Sequence, residues 1–223
     1  MTLDEADIAM ANTLAPFGFE AWGTASGPPN FAENHNPPYQ IAGGTVTPQT
    51  TAIYYGDLVR MAVSGDNSAW PGTIIQWTAA DGAATKIPVG IFVGCEYYSA
   101  SQQKNVWSRY WPGTSDAVGN ASAYVIDDPN QLFKVQSGYS SAAITQTSFG
   151  QTADINVTPA GNATTGISGM SLAQPTTTTT LPFKVVNFIS TPPGANGTDT
   201  TTAYNFLIVA FNASQFYKNP AGV

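Results

Sequence analysis

Apolar residues fall in short bursts separated by turn-forming residues, at 52–55, 58–63, 73–77, 87–98, 106–111, 122–126, 132–136, 181–191 and 204–212. Bursts of this length, rich in Val, Ile, Phe and Tyr, predict strands rather than helices. Turn signals lie between them, at Gly56-Asp57, Pro71-Gly72, Asp127-Asp128-Pro129-Asn130 and Pro192-Pro193-Gly194. The strongest burst, 87–98, puts Val89, Ile91, Val93 and Cys95 on one face and Gly90, Phe92 and Gly94 on the other. Its glycines predict a bent strand or a close backbone neighbour. The turn at 127–130 makes 124–135 a hairpin or a corner. Residues 152–172 alternate in short strands, and the threonine tract 174–180 is β-permissive. Two stretches, 3–14 and 139–149, permit short helices. Together these predict an all-β fold, an antiparallel sandwich or barrel.

The first 50 residues differ from the rest. Pro16, Pro28, Pro29, Pro37, Pro38 and Pro48 interrupt them, which forbids a long helix or a central strand. Yet Phe17, Phe19, Trp22, Phe31 and Tyr39 lie in the same stretch, and exposed rings need cover. The expected organisation is an extended N-terminal arm over 1–50 and a β domain over 51–223. The five aromatics are the candidate contacts to another chain.

Charge changes the picture of function. Lys and Arg number 7, Asp and Glu 14, and there is a single His, so net charge is −7. Charged residues make up 9% of the chain, far below the roughly 25% of an ordinary domain. An acidic chain with few cations is a poor match for nucleic acid, whose affinity comes largely from Lys and Arg on phosphates. It is equally poor for a polybasic membrane contact. Uncharged Thr, Ser and Asn surface is cheaper to bury against a neighbouring subunit than carboxylates or ammonium groups. The lone Cys95 leaves no internal disulfide. No basic start followed by an apolar stretch marks a secretory signal, so synthesis in a cytoplasm is expected.

Candidate chemistry is sparse. His35 would have to serve every Ser/His/Asp or Cys/His scheme, including a dyad with Cys95, and reads better as a polar loop residue. Asp127 and Asp128 precede Pro129 and read as a turn-capping pair rather than metal ligands. Gly166-Ile167-Ser168-Gly169 lacks the spacing of a nucleophile elbow and reads as a tight loop. Asn120, Asn156, Asn162, Asn196 and Asn212 precede Ser or Thr at the glycan-acceptor spacing, which chance explains in a chain of this composition. Trp107, Tyr110 and Trp111, with Tyr97 and Tyr98 nearby, form an aromatic cluster with three readings, core, subunit interface or sugar-stacking platform. Burial is favoured. The expectation is a protein without catalytic residues, cofactor or metal.

Met10-Ala-Asn-Thr-Leu-Ala-Pro-Phe-Gly-Phe19, Ile87-Pro-Val-Gly-Ile-Phe-Val-Gly-Cys-Glu-Tyr-Tyr98, Tyr110-Trp-Pro-Gly113, Ala123-Tyr-Val-Ile-Asp-Asp-Pro-Asn-Gln-Leu-Phe-Lys-Val-Gln136, Thr165-Gly-Ile-Ser-Gly-Met170 and Leu181-Pro-Phe-Lys-Val-Val186 follow one another along the chain. In that order these strings resemble blocks of a family of tailed-bacteriophage virion proteins. The resemblance implies a capsid decoration, or cement, protein on the outside of the head. It would bind the major capsid protein at capsomer junctions and stabilise the DNA-filled head; closed symmetry at a three-fold position makes a homotrimer the expectation, and the arm aromatics Phe17, Phe19, Trp22, Phe31 and Tyr39 are the contacts expected from their place in the segment. It would contact neither nucleic acid nor membrane, and would be made in the host bacterial cytoplasm. The alternatives are another virion β protein of tail, fibre or adaptor type, and a carbohydrate-binding or glycan-cleaving module using the aromatic cluster with Asp116, Asp127 or Asp128.

Overall fold

The structure, a computed structural model, describes residues 11–25, 38–43, 48–63, 66, 72–81 and 86–213. The fold is all-β, as the burst pattern predicts. In chain order the strands are β1 (Glu20–Thr24), β2 (Tyr39–Ile41), β3 (Leu58–Met61), β4 (Ile74–Gln76), β5 (Pro88–Ser99), β6 (Lys104–Ser108), β7 (Ala117–Ile126), β8 (Gln131–Gln136), β9 (Thr152–Ala153), β10 (Ile155–Asn156), β11 (Ser171–Leu172), β12 (Phe183–Phe188) and β13 (Phe206–Phe211). Strands β1-β8-β13-β12-β9 form a five-stranded sheet. Strands β2-β7-β5-β3-β4 form the larger sheet, with β6 added to the far half of β5. A small β10-β11 pair completes the set, and every strand pairing is antiparallel.

Two cores result. The first lies between the sheets, where Leu58, Ile91, Val93 and Ile126 of the larger sheet meet Phe133, Val135, Phe183, Val185, Leu207, Val209 and Phe211 of the smaller one. The second gathers Val59, Ile74, Val89, Phe92, Cys95, Ala123 and Val125 with Ile41, Ile53 and Trp111. The larger sheet curls around it, bringing its edges β2 and β4 within 8 Å between Cα atoms. Strand β5 therefore faces apolar surroundings on both sides, which is why its sequence runs apolar without alternation.

That strand departs from the expected one-face pattern. Val89, Phe92 and Cys95 enter the second core while Ile91 and Val93 enter the first. Register shifts against β3 and β7 turn the strand part-way along. A Cβ at Gly90 would lie 2.3 Å from the Ile126 carbonyl oxygen, so the expected close neighbour is β7.

Residues 127–130 form a corner and not a hairpin. Strand β7 ends in the larger sheet and β8 begins in the smaller one. Among the described residues there is no α-helix. Where a helix over 139–149 is expected, the chain is irregular apart from a 3₁₀ turn at Gln146–Ser148. Side-chain bonds from Asn205 to both backbone groups of Ile144 take the place of helical ones. Of the helix expected at 3–14, residues 3–10 lie outside the described residues and 11–14 are not helical. Within the segment expected as an arm, β1 and β2 join the edges of the two sheets, so the β body draws on residues before 51.

Candidate interaction surface

The five aromatics expected as contacts part company in the structure. Phe19 is buried in the inter-sheet core, stacked on Phe183 at 4.3 Å and edge-on to Phe133 at 6.4 Å. Phe17 lies edge-on against Phe206 at 5.4 Å, beneath the Lys134 ammonium. Tyr39 packs beside the second core and donates its hydroxyl to Asp127 Oδ2 at 2.6 Å. Trp22 stands 46% exposed at the β1 edge, where the register with β8 shifts. Phe31 and His35 lie outside the described residues. Phe17, Phe19 and Tyr39 thus bind the N-terminal segment to its own body.

The aromatic cluster divides as well. Trp111 is fully buried, donates Nε1–H to the Gln49 carbonyl at 2.9 Å and meets Tyr97 edge-on at 5.7 Å. Tyr110 stacks on Tyr54 at 5.7 Å. Trp107 is 60% exposed and Tyr98 43%, with Val118 at 55%. The ladder explains their company. Trp107 is paired with Glu96, and Tyr98 with both Asn105 and Val118. Directly paired antiparallel residues project from the same face, and diagonal neighbours lie roughly 7–8 Å apart. An apolar, outward-facing row therefore crosses β6, β5 and β7, flanked by Glu96, Asn105 and Ser122. Gly94 makes room for it, since a Cβ there would sit 2.8 Å from Trp107 Cζ2. The alternation of Val106 inward and Trp107 outward is a two-residue period visible in the sequence, but cluster composition alone favoured burial.

Several ionisable groups are committed to structure. Arg60 is buried; it forks onto Asp66 at 2.8 and 3.0 Å, and its Nε lies 2.9 Å from Asp81 Oδ2. Lys86 reaches Asp66 at 3.0 Å. Hydrogen bonds from Arg60 hold the Asp66 carboxyl well below the usual carboxylate range. Asp57 is buried at the 54–57 turn and accepts from Tyr54 N–H at 2.8 Å and Gln76 Nε2 at 2.6 Å. Burial pushes its carboxyl up to about 6.

The carboxylates weighed for glycan cleavage each serve a local contact. Asp116 accepts from Ser99 Oγ at 2.7 Å and Ser101 N–H at 2.8 Å, Asp127 from Tyr39, and Asp128 from Asn130 N–H at 2.8 Å. The turn-capping reading of Asp128 stands. Cys95 is buried, and desolvation pushes its thiol up to about 12, far from thiolate chemistry at neutral pH. Among the described residues no three His, Cys, Asp or Glu side chains gather as a metal site needs.

Comparison with known protein families, with curated proteins and with solved structures finds no match to the chain.

Proposed function

We propose that the protein is a head decoration protein of a tailed bacteriophage, which binds the outer capsid lattice at capsomer junctions and stabilises the DNA-filled head. The observation that carries this reading is the outward row of Trp107, Tyr98 and Val118 on a β body whose other large rings, among the described residues, are mostly covered. Isolated exposed side chains need no explanation, but two aromatics and a valine aligned across three strands are the kind of patch that anchors a protein interface. The flanking side chains are largely uncharged, so covering them carries a modest desolvation cost. The strings that resemble those of virion proteins supply the context, and the proposed partner is the major capsid protein. Copies clustered as homotrimers at three-fold positions would multiply a weak contact through avidity.

Binding of purified protein to undecorated heads tests the reading. Burying a large ring contributes roughly 2–3 kcal/mol, so Trp107→Ala or Tyr98→Ala should each weaken binding by at least about tenfold with the melting temperature unchanged. Unchanged binding by the double variant would place the capsid contact elsewhere.

A further inference from the structure

A second surface feature lies apart from the Trp107 row. Phe17, Glu20, Tyr55, Arg109 and Ile167 line a cleft of about 200 Å³. Its walls come from separate segments tied by backbone hydrogen bonds. Phe19 N–H donates to the Gly56 carbonyl at 2.9 Å and Gly18 N–H to that of Met170 at 3.2 Å. Tyr55 N–H donates to the Gly166 carbonyl and Ser168 N–H to that of Tyr55, each at 2.9 Å. The cleft is preformed, which lowers the ordering cost of binding.

Its chemistry is unusual for this chain. Cations are scarce, and acidic residues outnumber them two to one. Yet Arg109 makes no ion pair among the described residues. Its guanidinium lies over the Tyr55 ring, 4.7 Å from the centroid. Stacking there leaves the donors at the edge of the fork free to point away from the ring. Glu20 lines the same cleft and is itself held 3.4 Å from Lys134 Nζ.

We propose that this cleft binds a sugar ring bearing a carboxylate, a uronic-acid unit of an acidic polysaccharide. A guanidinium fork matches a carboxylate through two parallel hydrogen bonds. Phe17 and Ile167 offer apolar surface to the C–H face of a pyranose. Glu20 accepts hydrogen bonds from ring hydroxyls and repels a dianion, which selects a monoanionic polyol over inorganic phosphate. The assignment does not involve Trp107 or Tyr98, so it stands or falls independently of the capsid contact.

Calorimetric titration of the full chain with trigalacturonate tests it, with a neutral galactose trisaccharide and inorganic phosphate as comparison ligands. Saturable trigalacturonate binding is expected, weakened about tenfold or more by Arg109→Gln and by Arg109→Lys, which keeps the charge but loses the fork. Glu20→Gln should narrow the preference over phosphate. Trp107→Ala should bind as the parent does. Thermal melts of each variant should match the parent, because Arg109 and Glu20 are exposed. The proposal is overturned if trigalacturonate fails to saturate at about 10 mM, a value corresponding to negligible affinity. Equal binding of the neutral trisaccharide, equal competition by phosphate, or undiminished binding by both Arg109 variants would each overturn it too.

Discussion

Asp57 shows how a single residue in this body can set a pH dependence. Its carboxyl titrates near 6 in the folded protein, raised chiefly by burial and opposed by its hydrogen bonds. In the unfolded chain it titrates near the ordinary 3.8. The folded state therefore holds this proton more tightly. Stability from this group is fully present below about pH 4 and is lost as pH rises through 6. The difference of just over two pH units corresponds to at most about 3 kcal/mol. An Asn here keeps an oxygen to accept from Tyr54 and Gln76 without burying a charge. Urea denaturation between pH 4 and 8 should show Asp57→Asn gaining on the parent as pH rises, with the gain levelling off above pH 7. Parallel pH profiles for the two proteins would mean that Asp57 is not the group responsible. In the sequence Asp57 is visible only as half of a Gly-Asp turn, because nothing local tells that the turn is buried by Ser168 and the N-terminal segment.

Among elements, the segment 11–24 departs most from its sequence reading. Proline and glycine excluded long regular structure around it, while 3–14 permitted a short helix; residues 11–19 form neither helix nor strand. What the sequence reading lacked was the anchor. The side chain of Asn12 donates to the Asp199 and Ala203 carbonyls at 2.7 and 3.1 Å and accepts from Gly197 and Asp199 N–H at 2.7 and 3.3 Å. Gln136 adds bonds from its side chain to Ala15 N–H and the Thr13 carbonyl. These partners lie more than a hundred residues away, so no local pattern could reveal them. Asn12→Ala leaves several backbone groups unsatisfied and should lower the unfolding free energy from urea denaturation by roughly 2–4 kcal/mol, while exposing the chain near Leu14 to limited proteolysis. A loss under about 0.5 kcal/mol, within the range of ordinary surface substitutions, would show that the segment is not held this way. The strands, by contrast, were legible as to place, because their apolar bursts and turns are local signals. Which face each residue took in β5 was not, since register shifts at two points reassign Ile91 and Val93.

At the scale of the whole molecule, two sheets enclose two cores beneath a sparsely charged surface. The uncharged composition was plain in the sequence, as was the all-β class. The outward row of Trp107, Tyr98 and Val118 was only half visible, since the same aromatic cluster also supplies the buried Trp111. The Arg109 cleft went unseen because four segments distant in sequence build it. The proposed role is decoration of DNA-filled heads, and the decisive measurement is the copy number of the protein in purified particles. Quantitative mass spectrometry against the major capsid protein should find a fixed ratio set by lattice symmetry, on the order of hundreds of copies per head. Absence from washed, DNA-filled particles, or about a dozen copies or fewer as a single symmetric ring would supply, would contradict it.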